Sequence, residues 1–142
     1  MPAIITKKGE KGEPDQRIYA SGGLCLEVRP YQDRLWMSWR GRSTSRVISD
    51  DLITFVEQWF SGGNEEMPWE VHCEHLEHAN SQTVGFITGF IGRTFDRRAP
   101  ATFFYDPNSN FQRVLFNALE PMLSDRAHVI FKTVDAQGEV RT

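Results

Sequence analysis

Residues 24–40 read LCLEVRPYQDRLWMSWR, and this stretch decides the fold class. Apolar side chains occupy every second position from Leu24 to Val28, and again from Leu35 to Trp39. Such alternation is typical of strands that bury one face. The intervening Pro-Tyr-Gln-Asp is typical of a turn. We therefore predict two antiparallel strands that are joined as a hairpin.

Two other segments, at about 50–61 and 107–123, have the apolar spacing of an amphipathic helix. In the first, apolar residues recur at i, i+3, i+4, i+7 and i+8, and Ser49 is a favourable N-cap. The second carries a longer stripe of the same spacing, with Asp106 as its expected cap. Pro121 is expected to kink this helix or to end it early.

The remaining structured segments are predicted as strands at 46–48, 69–77, 101–105 and 127–134. Residues 83–95 fit either a strand or a helix. We favour a strand, because Gly85, Gly89 and Gly92 would each cost a helix roughly 1 kcal/mol relative to alanine. That strand would pair with 69–77. The order β-β-β-α-β-β-β-α-β then predicts an α+β domain, in which two helices pack on a largely antiparallel sheet.

The chain length of 142 residues is that of one domain, and no linker divides the sequence. We assign residues 17–134 to this domain. The polar residues 1–16 are predicted to form a flexible arm that could include a short strand at 3–6. Residues 135–142 are predicted to form a polar tail.

Composition excludes several classes of protein. Hydrophobic residues make up 39% of the chain and charged residues 25%, which is typical of a folded domain and not of a disordered or repetitive chain. Two cysteines are too few for a disulfide scaffold. The N-terminal residues lack the apolar core of a signal peptide, and no apolar run approaches the ~20 residues of a membrane-spanning helix. We expect a soluble, reduced, cytoplasmic protein without membrane partners.

Charge is unevenly distributed along the chain, although the net charge is only −3. Residues 47–92 contain eight Asp or Glu and no Lys or Arg. This acidic stretch could attract a basic partner or a cation. Alternatively, folding could bring basic side chains from the flanking segments against it and cancel its field. The sequence pI of about 5.8 disfavours a nucleic-acid partner.

Residues 70–78, EVHCEHLEH, hold the most suggestive chemistry. Imidazole and carboxylate groups are ligands of zinc and of other transition metals, so this segment could form a metal site. Its ligands would be His72, Glu74, His75 and His78. Their spacing matches no established metal motif, and the alternative is a solvated strand face. Catalysis by Cys73 is disfavoured, because the neighbouring carboxylates would raise the thiol pKa.

Exposed aromatic and acidic residues point instead to the binding of a partner. Trp36 lies on the strand face opposite Leu35, and tryptophan is enriched in protein interfaces. The predicted partner surface consists of Trp36, Glu65, Glu66, Glu70, His72 and Glu74. The partner would be a protein. It would be a basic protein if charge complementarity determines which partner binds. The hairpin could also form a homodimer.

The favoured function is therefore a small binding protein without catalytic chemistry and without a cofactor. In size and acidity it is similar in type to small inhibitor or immunity proteins, with no shared motif. Two alternatives stay open. One is a small metal-dependent enzyme that uses zinc or another transition metal at the His72–His78 cluster. The other is a domain that binds an apolar small ligand in an aromatic pocket.

Overall fold

The computed structural model describes residues 3–7, 9, 16–31, 33–43, 48–60, 66–134 and 140–141. Within these residues nine strands form one sheet, accompanied by three α-helices and one 3-10 helix. The strands are β1 (Ala3–Lys7), β2 (Gln16–Ser21), β3 (Leu24–Pro30), β4 (Leu35–Arg42), β5 (Trp69–His72), β6 (Leu76–His78), β7 (Ala101–Tyr105), β8 (Val129–Val134) and β9 (Val140–Arg141). The helices are α1 (Asp50–Phe60), α2 (Ser81–Thr94), α3 (Asn110–Leu119) and the 3-10 helix Glu120–Leu123.

The sheet is mixed, which corrects the prediction of a largely antiparallel one. Strands β1 to β4 form an antiparallel meander, whereas β4, β5, β7 and β8 lie side by side and parallel. Strand β6 pairs in parallel with the end of β4, and β9 is antiparallel to β8. One helix connects each successive pair among the four parallel neighbours, because such strands need a crossover. The alternation of strand and helix after β4 thus indicates the parallel half.

Residues 83–95 belong to helix α2, so the predicted strand is wrong. Asn80 caps this helix by accepting a hydrogen bond from the Thr83 amide at 3.0 Å. At Gly85, Gly89 and Gly92 an added Cβ would meet nothing within 4 Å. The opposite side of the helix buries Ile87, Phe90 and Ile91 in the core. Burial of this apolar stripe outweighs the low helix propensity of glycine.

Several other predicted elements are confirmed with shifted ends. The hairpin is present as β3 and β4, and the first helix as α1. The last helix begins after a Ser109 cap instead of Asp106, and it ends at Leu119, before Pro121. The predicted strand 69–77 is two strands, β5 and β6, separated by a turn.

The termini of the chain take part in the sheet. Strand β1 lies in the predicted N-terminal arm and pairs with β2, and β9 lies in the predicted tail. Of the short strand predicted at 46–48, residues 46–47 lie outside the described residues, and Ile48 is not in a strand.

All three helices lie on the same face of the sheet. The ring of Phe55 in α1 contacts Tyr19, and that of Phe90 in α2 contacts Trp39. Phe116 in α3 stacks on Tyr105 with ring centroids 4.6 Å apart. Right-handed crossovers between successive parallel neighbours place each helix on the same side. None of the helices in the described part of the chain has the length and apolar composition needed to cross a membrane.

Candidate functional site

The other face of the sheet carries the residues that alternate with the core positions. Strand pairing sets Trp36 beside Glu70, Ser38 beside His72, and His72 beside Phe104. We call the surface formed by these five residues the open face. No helix in the described part of the chain packs on it.

His72 lies between two carboxylates on the open face. Its Nε2 lies 2.8 Å from Oε2 of Glu70, and its Nδ1 lies 2.6 Å from Oε1 of Glu74. Ionised carboxylates only accept hydrogen bonds, so both ring nitrogens must act as donors. Glu70 reaches the ring because residues two apart on a strand share a face. An imidazole donates from both nitrogens only when it is protonated. The geometry is therefore that of an imidazolium held by two carboxylates.

The environment of His72 acts on its pKa in two opposite directions. Burial lowers the pKa, because it disfavours the charged ring. The hydrogen bonds with Glu74 and Glu70, together with the negative charges of these groups, raise it. The net effect is a pKa above the usual value of about 6.5. The imidazolium consequently persists to higher pH than in a solvated histidine.

Two aromatic rings hold the imidazole in place. Phe104 stacks on it with ring centroids 4.5 Å apart and an interplanar angle of 8°. Trp36 approaches it with centroids 5.7 Å apart and an angle of 40°. The guanidinium of Arg29 lies over the Trp36 ring at 5.4 Å. These contacts hold the half-buried Trp36 and the buried Phe104 against the imidazole.

Basic side chains from outside the acidic stretch neutralise part of it. Nη1 of Arg34 lies 2.9 Å from Oε1 of Glu70. Arg93 forms an ion pair with Glu57 on α1. Folding thus brings basic side chains against residues 47–92, a segment that contains no Lys or Arg of its own. The acidic stretch and its basic counterparts form local pairs, and its charge is partly cancelled.

The turn that carries Glu74 is tied to helix α3 by a buried side chain. Nε2 of Gln112 donates to the carbonyl oxygens of Leu76 at 2.8 Å and Glu74 at 3.1 Å. Its Oε1 accepts a hydrogen bond from the Asp106 amide at 2.7 Å. Gln112 therefore positions Glu74 against His72. Sequence reasoning missed this residue, because a lone glutamine in an apolar helical stripe carries no motif.

The structure brings together four of the six residues of the predicted partner surface. Trp36, Glu70, His72 and Glu74 meet on or beside the open face. Glu66 is exposed and precedes β5, at the opposite end of that strand from Glu74. Glu65 lies outside the described residues.

The described residues do not assemble the predicted metal site. His75 is exposed in the turn after β5, and His78 lies on β6 with its ring 6.0 Å from that of Phe111. The carboxylates of Glu70 and Glu74 approach different nitrogens of His72, so their oxygens do not converge on one point. Across the described ranges no group of three His, Cys, Asp or Glu side chains could hold a metal ion.

The two cysteines differ in accessibility. Cys73 is buried, and burial together with the charge of Glu74 raises the pKa of its thiol. Such a thiol is a poor nucleophile at neutral pH. Cys25 is half-buried, and Nη2 of Arg40 lies 3.6 Å from its Sγ.

The open clefts on the surface of the described residues include the following two. One, of about 350 Å³, is lined by Phe60, Arg93, Asp96, Arg97 and Arg98. The other, of about 500 Å³, adjoins the open face and is lined by Arg40, Gly41, Glu74, His75 and Glu77. Mostly charged side chains line both clefts. Neither has the apolar walls expected for an apolar-ligand pocket.

Comparisons with protein-family models, with curated proteins and with solved structures found no match. The function of this chain is therefore inferred from its own residues.

Proposed function

We propose that this chain is a binding protein without chemistry of its own. The open face, together with Glu74 at its border, would receive a protein partner through basic side chains of that partner. One observation carries the proposal: Trp36 lies beside the cluster of Glu70, His72 and Glu74 on a face that no described helix covers.

The composition of this surface favours a protein as the occupant. Trp36 is half-buried and ordered by His72 and Arg29, so its immobilisation on binding costs little entropy. Tryptophan and arginine are the residue types most enriched among binding hot spots. A sheet face is broad and shallow, which suits another protein surface better than a small ligand.

The carboxylates favour a partner with basic groups. The side chains of Glu70 and Glu74 are only 27% and 9% exposed, so water screens their charges incompletely. Glu77 adds a third carboxylate in the cleft that adjoins Glu74. A lysine or arginine of the partner would meet these groups from the solvent side.

Two features support a role in binding over catalysis. Cys73 is buried with a raised pKa, and both nitrogens of His72 are occupied by carboxylates. A general base needs a free lone pair, and a nucleophile needs access to its substrate.

The test uses an arginine-rich peptide and the same peptide with citrulline, the neutral analogue, in place of arginine. Binding is followed by calorimetry and by amide chemical shifts. We expect the arginine peptide to bind at the open face, and its affinity to fall with added salt. Trp36→Ala should lower that affinity about tenfold.

Ile53→Ala is the matched control, because Ile53 is an exposed apolar residue of α1 on the helical side. It should leave binding unchanged. The proposal is overturned if the arginine peptide does not bind, if the citrulline peptide binds equally well, or if the shifts map to the helices.

A further inference from the structure

We propose that a basic side chain of the partner and the proton on His72 compete for the carboxylates of Glu70 and Glu74, so that docking releases this proton to solvent. The proposal rests on the function proposed above. It adds to that function a chemical group to be recognised and a dependence of binding on pH.

The balance of charges in the free protein is the first step. Glu70 and Glu74 supply two negative charges, and Arg34 and the His72 imidazolium supply two positive ones. A partner's guanidinium or ammonium placed on these carboxylates would leave the cluster with one excess positive charge. Loss of the His72 proton restores neutrality, because Arg34 and the incoming group then balance the two carboxylates.

Because the cluster is largely buried, an excess positive charge on it is unfavourable. The His72 side chain is 21% exposed, and Phe104 and Trp36 cover the ring from two neighbouring strands. Repulsion between like charges is stronger where water is excluded. An added cation beside a buried imidazolium therefore favours release of the proton.

The charged groups around the cluster reinforce the competition. From β3, Arg29 lies over Trp36, and from β8, Lys132 pairs with Phe104. Ahead of β4, Arg34 contacts Glu70. The titratable His75 follows Glu74 in the turn after β5, but its side chain is exposed, so water screens any effect of it on the cluster. Glu27 of β3, which pairs with Ser38, already forms ion pairs with Arg29 at 3.9 Å and Arg40 at 3.7 Å. Glu77 lies in the cleft that adjoins Glu74. The carboxylates that contact the His72 ring are those of Glu70 and Glu74.

The exchange requires no other reactant. The N–H proton of His72 leaves to bulk water, and the neutral ring keeps one N–H for one carboxylate. The carboxylate that is released accepts a hydrogen bond from the partner's cation. Because the pKa of His72 is raised above its usual value, release of its proton is a cost that falls as pH rises.

Calorimetry with the arginine-rich peptide measures the proton release directly. Titrations in two buffers of different ionisation enthalpy give the number of protons released per peptide bound. At a pH below the pKa of His72 we expect a number approaching one. The affinity should rise by about tenfold per pH unit there and become constant above that pKa.

Two variants assign the proton. His72→Gln keeps one amide donor but cannot titrate, so its peptide affinity should not change with pH in this range and no proton should be released. His75→Gln removes the exposed neighbour and should behave as the unmodified chain. Chemical shifts of the His72 ring in the unmodified chain, with and without peptide, report its protonation even if a variant fails to fold.

The outcomes separate the two proposals. Peptide binding at the open face without proton release, or with an unchanged ring protonation state, overturns the competition and leaves the proposed function standing. Unaltered pH dependence in His72→Gln does the same. The absence of peptide binding at every pH overturns both.

Discussion

The imidazole of His72 lies flat against the ring of Phe104, with centroids 4.5 Å apart and planes at 8°. The two residues come from neighbouring parallel strands and are directly paired in the sheet. This stack fixes the ring so that each nitrogen points to a different carboxylate, Glu70 on one side and Glu74 on the other. Orientation of the ring and the state of its proton are thereby coupled.

Stability should depend on pH through His72. The folded-state pKa is raised above the unfolded value of about 6.5. Its stabilising contribution is therefore fully present below that unfolded value and is lost as pH rises through the folded pKa. His72→Gln lacks this contribution.

Urea unfolding across this pH range provides the measurement. The free energy of unfolding of the unmodified chain should exceed that of His72→Gln at low pH, and this difference should shrink as pH rises. His75→Gln is the control and should show the pH dependence of the unmodified chain. A gap between the unmodified chain and His72→Gln that stays constant, or that widens with pH, contradicts the prediction.

Gln112→Ala should destabilise the fold. It removes the partners of the Glu74 and Leu76 carbonyls and of the Asp106 amide. Each such group that is left unsatisfied costs about 1–3 kcal/mol in the free energy of unfolding. Denaturant titration measures it, and Gln82→Ala, at an exposed position of α2, should change little. Equal effects of the two substitutions would show that the hydrogen bonds of Gln112 do not stabilise the turn that carries Glu74.

Gly85→Ala and Gly89→Ala should stabilise the protein. A Cβ at either position meets nothing within 4 Å. Alanine in a helix interior is favoured over glycine by about 0.5–1 kcal/mol. The midpoint temperature of thermal unfolding should rise for each variant. A lower midpoint would reveal a contact with that side of α2.

Gly41→Ala provides the opposite case for the same substitution. Gly41 has φ +90°, and its Cβ would collide with the carbonyl oxygen of Gly23. We expect a loss of more than about 1 kcal/mol in the free energy of unfolding, because alanine is strained there and the backbone must move. A neutral result would mean that the backbone at the end of β4 relaxes easily.

Thiol labelling should distinguish the two cysteines. Cys25 is half-buried and Cys73 is buried with a raised pKa. A thiol reagent should therefore modify Cys25 in the folded protein and both residues in denaturant, as intact mass would show. In Cys25→Ser, labelling of the folded protein should cease. Rapid labelling of Cys73 without denaturant would contradict its burial.

Local patterns in the sequence were sufficient for several elements. Alternation over 24–40 predicted the β3–β4 hairpin, and the apolar stripe after Ser49 predicted α1, whose Leu52 amide bonds to the Ser49 side chain at 3.1 Å. The same alternation put Trp36 on the face opposite Leu35. These features depend on residues close in sequence, so periodicity reveals them.

Local sequence patterns predicted the wrong element for α2. They also did not reveal the strand pairing in the parallel half of the sheet. The glycines of α2 disfavour a helix, yet Ile87, Phe90 and Ile91 bury against the sheet. Parallel pairing of β4, β5, β7 and β8 depends on which strands become neighbours after the helices cross over. That choice is made by burial of the whole core, and no single segment records it.

The sequence by itself determined the residue types at the candidate site, with Trp36, Glu70, His72 and Glu74 marked by strand periodicity and chemistry. Only the tertiary structure decided that Phe104, Arg34 and Gln112 complete it. The physical reason is distance along the chain. Gln112 lies 38 residues from Glu74, and Arg34 lies 36 residues from Glu70. Contacts of this range arise from strand order and helix packing, which local periodicity does not encode.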